Sequence, residues 1–479
     1  MKNVFVYLTI LAFVTSSCGK VTDLQPQSNI ASSNFWKTGR QAEMGITGVY
    51  QSFYLGGTNA PLYIKYLYWG EARADIYDPK NVGQDASVYN ITLNRITPAA
   101  GYVASWAEPY TAINRANNVL KFVPLIEDVT LTPARKNEII GEALFLRALN
   151  YYYIVRAFGD VPLVTEPSVS LDQDFKTPRT PKAVVLDTIV ANLLQAEKIL
   201  PLSFSSNAQT RGRATIGAAK ALLTSVYLWR KEYQKCADKA KEVLDMTTLY
   251  QLEPNYATIF LDNSKESIFE IQFDNATQNN NRFQEFYLPP RFGVQLLAPA
   301  EKLYKDAVNG FAINDKRKPV TIGVTTTPLF NRANIAYVNK YGGTFGAAGT
   351  TSISDANQIL LRLADVVLMR AEALNELNTN QTEVIALINR IRDRAFGAGV
   401  KPVLATATQD DLRKMILQER YLEFAFEGQR WFDLVRTEQA GNVLGSQFPE
   451  LLDPRKWLFP ISESIINANP NIVQNPGWQ

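Results

Sequence analysis

Helix-forming segments arranged in pairs constrain the fold of this chain more than any other feature. Within residues 107–123, Tyr110, Ile113, Ala116 and Leu120 share one helical face, because they recur at intervals of three and four. Similar periodicity, with capping residues and Gly or Pro at the ends, predicts further helices. They are expected at 35–54, 133–158, 183–200, 216–230, 234–244, 359–377, 382–394, 410–426 and 431–436.

Small residues mark the positions at which neighbouring helices can approach closely. They recur in the first helix of two pairs, at Ala218, Ala219, Ala221, Ala364, Ala371 and Ala373. Antiparallel helical pairs with this pattern resemble tetratricopeptide-like units, although their spacing here is irregular. We therefore predict an all-α-dominated fold, with a scaffold of helical pairs over about 107–244 and 357–437.

Two long insertions differ in composition from this scaffold. Residues 55–105 and 250–355 are rich in Gly, Asn, Thr and aromatic residues. They contain short strand-like runs such as 267–273, in which alternate residues are apolar. Loop-rich insertions on a rigid scaffold are where proteins usually build binding surfaces, so both are predicted to carry the ligand surface.

The N-terminus has the features of an export signal. Lys2 precedes an apolar run over residues 4–14, and small residues lead to Cys18. Residues 1–17 are therefore predicted to be a lipoprotein signal peptide, with Cys18 as the lipidated residue. Residues 18–33 would form a polar tether, and 34–479 a single domain. An ordinary signal peptide followed by a coincidental cysteine is the alternative.

The absence of histidine limits the chemistry open to this chain. It excludes Ser-His-Asp and Cys-His machinery, HExxH zinc sites and imidazole proton transfer. Enzymes that use a pair of carboxylates stay possible. A net charge of +3 gives no electrostatic reason to expect a nucleic acid partner. No metal is expected, since Asp172-Gln-Asp174 lacks the glycine and terminal acid of an EF-hand loop.

An ordered set of motifs along the chain resembles the SusD/RagB family of outer-membrane nutrient-binding lipoproteins of Bacteroidetes-type bacteria. Each motif alone is weak, but together they run nearly from end to end. In chain order they are Asn34-Phe-Trp-Lys37, Trp106-x3-Tyr110-x2-Ile113-x3-Asn117, Glu142-Ala-Leu-Phe-Leu-Arg-Ala148, Arg213-Ala-Thr215, Arg362-Leu-Ala-Asp365, Arg370-Ala-Glu372, Glu419-Arg-x-x-Glu423, Arg430-Trp-x-Asp433 and Leu458-Phe-Pro-Ile461.

The resemblance implies a role in nutrient capture at the cell surface. Such a protein is anchored to the outer membrane by lipid and faces the cell exterior. It binds an oligosaccharide, a polysaccharide or another nutrient, and works with a SusC-like TonB-dependent transporter. Neither catalysis nor a cofactor is expected. Two alternatives stay open: a peptide-binding or protein-binding member of the same scaffold, and a glycosidase that uses two carboxylates.

Candidate ligand contacts are aromatic residues beside amides and charged groups, since a sugar presents an apolar face and many hydroxyls. Three segments offer this combination, with scaffold roles as the competing interpretation. They are Tyr66, Trp69, Arg73, Asp75 and Tyr77 in the first insertion, Asn280, Arg282, Tyr287 and Arg291 in the second, and Tyr341 near its end.

Acidic residues near the end of the scaffold are predicted to be structural. Glu419, Glu423 and Glu427 recur every four residues, with several arginines nearby. The family carries this motif whatever its ligand, so we interpret these charges as cross-links between helices. Glu71 and Asp75, four residues apart, are the candidate pair of catalytic carboxylates, although pairs with this spacing are common in a chain of this size.

Overall fold

The computed structural model describes residues 35–56, 60–78, 86–169, 173–274, 281–283, 287, 297–325, 334–342 and 355–479. Helices dominate these residues, which confirms the predicted fold class. The helices are α1 (Gly39–Gln51), α2 (Leu62–Glu71), α3 (Ala86–Thr92), α4 (Gly101–Ala104), α5 (Ala107–Phe122), α6 (Pro133–Phe158), α7 (Lys182–Ile199), α8 (Asn207–Gly212), α9 (Ile216–Trp229), α10 (Tyr233–Leu244), α11 (Glu301–Lys305), α12 (Lys318–Thr321), α13 (Leu363–Glu376), α14 (Gln381–Phe396), α15 (Gln409–Glu423), α16 (Arg430–Arg436), α17 (Ala440–Leu444) and α18 (Glu463–Ala468).

Helices that follow one another along the chain pack together as an array. In order, α1 contacts α5, α5 contacts α6, α6 contacts α7, α7 contacts α9 and α9 contacts α10. The array continues through α10 against α13, which also packs on α14 and α15. Short connections such as residues 230–232 between α9 and α10 favour antiparallel neighbours, as predicted for helical pairs.

The helix ends follow local chemistry. At α6, the Thr132 side chain accepts a hydrogen bond from the Arg135 amide at 3.2 Å, and Pro133 occupies the first turn, where its missing N–H costs nothing. The same helix ends at Gly159, whose φ of +75° suits glycine. The first helix was expected to start at Phe35, but α1 begins after Thr38, which forms a capping box with Gln41.

Two small antiparallel sheets lie between the helices. Strand β1 (Ser267–Ile271) pairs with β4 (Gln358–Arg362), and β2 (Ile322–Val324) pairs with β3 (Ala336–Val338). The expectation of a helix from residue 359 is therefore wrong over its first turn, because Leu361 pairs with Phe269 and the helix begins at Leu363.

The first insertion is more helical and more buried than its composition suggests. All ten residues of α2 are buried. Gly70 allows close packing there, since a Cβ at this position would lie 1.7 Å from the carbonyl oxygen of Gly428. Cys236 is a buried free thiol, as expected of a small core residue. Among the described residues, no helix is long and apolar enough to cross a membrane.

Candidate functional site

The first two candidate ligand contacts, Tyr66 and Trp69, lie on α2 with both rings inside the core. The Tyr66 hydroxyl donates to Oδ1 of Asn150 at 2.9 Å, and its ring stacks on Tyr153 with centroids 3.7 Å apart. The Trp69 indole N–H donates to the carbonyl oxygen of Val103 at 2.8 Å. Their assignment as ligand contacts is therefore wrong, because neither ring has a face exposed to a sugar, and the competing scaffold interpretation fits.

Arg73 is also part of the scaffold rather than a ligand contact. Its guanidinium donates to Oδ1 of Asn94 at 2.8 Å, and to the carbonyl oxygens of Lys456 and Trp457 at 2.8 and 3.1 Å. It lies over the Trp431 ring at 4.3 Å from the centroid. Burial lowers the pKa of Arg73 to about 9. The prediction fails because the side chain points into the core, where it ties the first insertion to the C-terminal segment.

Asp75 occupies a buried ion-pair site. Its carboxylate accepts from Nε of Arg430 at 2.8 Å and from Nζ of Lys302 at 2.8 Å. Burial alone would raise the pKa of Asp75, but the two cations outweigh it and hold the pKa well below its usual range. Both carboxylate oxygens of Asp75 thus pair with cationic side chains of the protein. Its assignment as a ligand contact is therefore also wrong.

Three candidates from different segments meet in one buried group, the tyrosine cluster of Tyr77, Tyr287 and Tyr341. The Tyr77 and Tyr287 hydroxyls lie 3.1 Å apart, and both donate to Oε1 of Glu71. Tyr287 and Tyr341 stack with centroids 5.8 Å apart, and the Tyr341 hydroxyl donates to the carbonyl oxygen of Phe426 at 2.6 Å. The three predicted residues are therefore neighbours, but as direct contacts they are wrong, because all three side chains are buried. We call this cluster the floor of the insertions.

Glu71 is the acid at the centre of this floor. Its Oε2 accepts from the Gly428 amide at 2.7 Å. Burial raises the pKa of Glu71 to about 8, and the hydrogen bonds from Tyr77 and Gly428 only partly oppose this effect. Nearby, Lys340 donates to Oε1 of Glu427 at 2.6 Å, and burial lowers the pKa of Lys340 to about 8. Glu71 therefore holds its proton near neutral pH inside the protein.

A buried ionic network joins the second insertion to the helical scaffold. Glu423, the last residue of α15, accepts from Arg362 at 2.7 Å and from Arg317 at 3.2 Å, and it also pairs with Arg394. Arg362 pairs in addition with Glu427 at 2.7 Å. Burial would raise the pKa of Glu423, but the three arginines hold it well below its usual range. This confirms the prediction that these acids are structural.

Of the remaining sequence candidates, only Arg282 lies among the described residues. Arg282 is exposed, and its backbone amide donates to the hydroxyl of buried Tyr63 at 3.1 Å. It thus lies at the surface, next in sequence to Phe283, whose ring contacts Tyr287 and Tyr341 of the floor. Cys18, Asn280 and Arg291 lie outside the described residues, so they stay predictions.

A surface cavity of about 430 Å³ lies beside α5, and sequence analysis did not single it out. We call it the side hollow: Tyr110 and Asn114 of α5 form one wall, and residues 163–168, 173–175 and 177 form the rest. Phe175 at its rim is 55% exposed. An aromatic residue in a polar loop, following the helix stop at Gly159, was the signal available in the sequence.

A metal centre finds no support among the described residues. No group of three or more Asp, Glu or Cys side chains there converges as cation ligands. The acids of the floor and of the network already accept hydrogen bonds from tyrosines, arginines and backbone amides. These groups hold the fold together.

Two family models match the chain in separate halves. The model described as the SusD family matches residues 290–478. A second, described as "Starch-binding associating with outer membrane", matches residues 54–228. Together they include most of the helical array, with α1 and α10 outside both matches, and they include Tyr77, Tyr341 and the arginines and glutamates of the buried ionic network.

Relatives and solved structures are similar to this chain over almost its whole length. A SusD-like protein of Formosa agariphila is 29% identical over 100% of both chains. A solved laminarin-binding SusD-like protein superposes with a TM-score of 0.75 at 25% identity, covering 92% of this chain and 100% of the other. A SusD superfamily protein of Bacteroides vulgatus gives a TM-score of 0.79 at 21% identity, with coverage of 93% and 100%. The chain belongs to the SusD family.

Proposed function

We propose that this protein captures a glycan at the outer surface of the outer membrane and delivers it to a SusC-like TonB-dependent transporter. The observation that carries the proposal is the match over residues 54–228 to a family described as starch-binding and associated with the outer membrane. The full-length likeness to a laminarin-binding relative supports the same ligand class.

The floor and the ionic network suit a binding protein because they make the insertions rigid. Lys340 donates to three groups of residues 423–427, and Arg362 cross-links β4 to the same segment. A rigid floor lowers the entropy that the overlying surface loses when a ligand binds. We assign ligand contacts to the exposed surface of the insertions over 55–105 and 250–355, with Arg282 as one contact.

The positions of Glu71 and Asp75 favour binding over hydrolysis. A glycosidase needs two carboxyl groups that flank the scissile bond and reach the substrate. Glu71 is enclosed by tyrosine hydroxyls, and Asp75 is paired with Arg430 and Lys302. Neither acid can contact a sugar without disrupting the core.

The direct test is isothermal titration calorimetry with oligosaccharides from laminarin and starch, compared with a mixture of peptides. We expect saturable binding of at least one oligosaccharide and none of the peptides. Arg282→Ala should weaken binding by about ten- to a hundredfold, since a hydrogen bond from a charged group contributes roughly 1.5–3 kcal/mol. Arg455→Ala removes another exposed arginine, far along the chain, and should leave the affinity unchanged.

Two results would contradict the proposal. Peptide binding without oligosaccharide binding would favour a peptide-binding member of the scaffold. Release of new reducing ends from the polysaccharide, abolished by a single carboxylate substitution, would identify a glycosidase instead.

The proposed anchor gives a second prediction. Cys18→Ala should move the protein from the membrane fraction to the soluble fraction, because the only attachment we propose is lipid on that thiol. Stable attachment of this kind needs more than one acyl chain, at about 0.8 kcal/mol per buried CH₂. Fractionation followed by immunoblotting measures the change, with Cys236→Ala as the matched cysteine control. Retention of Cys18→Ala in the membrane fraction would exclude the lipid anchor.

A further inference from the structure

We propose that the side hollow binds a neutral oligosaccharide, as a second glycan contact separate from the insertion surface. The ligand class rests on the proposed function, but the site does not. Its walls come from α5 and from residues 163–168, 173–175 and 177, and none belongs to either insertion.

The inner wall of the side hollow is held in place by scaffold side chains. Tyr151 pins Val164 twice: its hydroxyl donates to the Val164 carbonyl oxygen at 2.9 Å and accepts from the Val164 amide at 2.8 Å. Asn117 donates to the carbonyl oxygens of Val164 and Glu166 at 3.0 and 3.3 Å. Oδ1 of Asn114 accepts from the Ser168 amide at 2.8 Å. This wall is therefore formed before any ligand arrives.

The outer wall is anchored from the far end of the chain. Asn469 donates to the carbonyl oxygen of Thr177 at 2.9 Å, and Asn471 donates to that of Lys176 at 2.7 Å. Phe175 lies directly before these two anchored residues. Its backbone is thus fixed while its ring is left largely exposed. Little conformational entropy of the protein is therefore lost when a ligand covers the ring.

The chemistry of the lining matches an uncharged sugar. The Phe175 ring offers an apolar plane for the C–H face of a pyranose, and the half-buried Tyr110 ring extends the apolar surface. Asn114, Glu166 and Asp174 add planar polar groups that can bind hydroxyls. The described residues that line the hollow include two carboxylates and no lysine or arginine. Glu166 pairs with Lys121 outside the lining at 3.2 Å, so Asp174 supplies the negative charge that disfavours an acidic sugar.

Two separated contacts would let one polysaccharide chain bind the protein at both places. The second contact then forms at a high effective concentration, so affinity for a polymer can exceed the affinity for a short fragment by a large factor. This would favour retention of long glycans over single short products.

The test is calorimetry with neutral hexasaccharides from laminarin and starch on the full chain, with an oligogalacturonide as the acidic probe. We expect two binding events in the wild type and none with the acidic probe. Phe175→Ala should weaken one event by about tenfold or more and leave the other unchanged, whereas Phe175→Tyr should retain both. Leu202→Ala is the matched control, since Leu202 is 52% exposed and lies outside the hollow.

Each outcome decides the inference. Identical isotherms for Phe175→Ala and the wild type would overturn it, as would binding of the acidic probe that is lost in Phe175→Ala. A single event abolished by Phe175→Ala would support the side hollow and overturn the insertion surface as the glycan site. Absence of binding to the wild type would overturn the side hollow and the proposed function together.

Discussion

Replacing Glu423 with alanine is expected to lower the free energy of unfolding by about 3–5 kcal/mol, because it removes a buried carboxylate that three buried arginines share. Arg317, Arg362 and Arg394 all pair with this carboxylate, and all three are buried. Each arginine keeps another carboxylate partner, but a buried charge that loses one partner keeps its full desolvation cost and loses part of the attraction that offset it. Urea unfolding monitored by circular dichroism at pH 7 measures the change.

A surface ion pair provides the matched control for this prediction. Glu301 pairs with Lys305 at 2.8 Å within one short helix, and both side chains are more than half exposed. Glu301→Ala should change stability by less than about 1 kcal/mol, since solvent screens exposed pairs. If Glu423→Ala lowers the free energy of unfolding no more than Glu301→Ala does, water must enter the network and screen its charges.

The same substitution should also affect ligand binding through the insertions. Arg317 lies within the second insertion, before α12 and β2, while Arg362 ends β4, which follows the insertion. Glu423 therefore connects the insertion and the strand after it to α15. Loss of this link would loosen the floor before the scaffold unfolds. We therefore expect weaker oligosaccharide binding at urea concentrations where the helical signal is still native.

Local sequence signals predicted the scaffold well. Thr132 and Pro133 defined the start of α6, and Gly159 defined its end, because capping and positive φ depend on few neighbours. The acids around Glu423 were correctly interpreted as structural. Their partner Arg394 lies on α14, close to α15 in the chain, whereas Arg317 comes from far upstream and could not have been paired by spacing.

The candidate site was harder to predict because aromatic residues serve two purposes. Tyr and Trp suit a sugar-binding surface, but they also fill cores when their polar ends find partners. In α2, Asn150 and Val103 supply those partners, and both come from distant helices or loops. The side hollow was missed for the opposite reason: its aromatic residue is isolated in a polar loop and has no pattern around it.

Glu71→Gln is expected to remove a pH dependence of stability between about pH 5 and pH 8. The folded protein raises the pKa of Glu71 to about 8, so it keeps a proton that the unfolded chain releases above about pH 4.5. Wild-type stability should therefore fall as the pH rises through this range, by up to about 1.4 kcal/mol per pH unit. Glutamine stays neutral, so the variant should match the wild type near pH 5 and exceed its stability by about 3–5 kcal/mol at pH 8.

Urea unfolding at intervals from pH 5 to pH 8 measures this difference in stability. The composition of the chain leaves few other groups that titrate in this pH range. With no histidine present, few other groups change charge there. Lys340, whose pKa is lowered to about 8, affects stability only above this range, where the unfolded chain binds the extra proton and stability rises with pH. Glu463→Gln changes an exposed glutamate and should follow the wild-type curve. Parallel curves for Glu71→Gln and the wild type would mean that Glu71 is already ionised in the folded protein, and that the tyrosine hydroxyls and the Gly428 amide outweigh its burial.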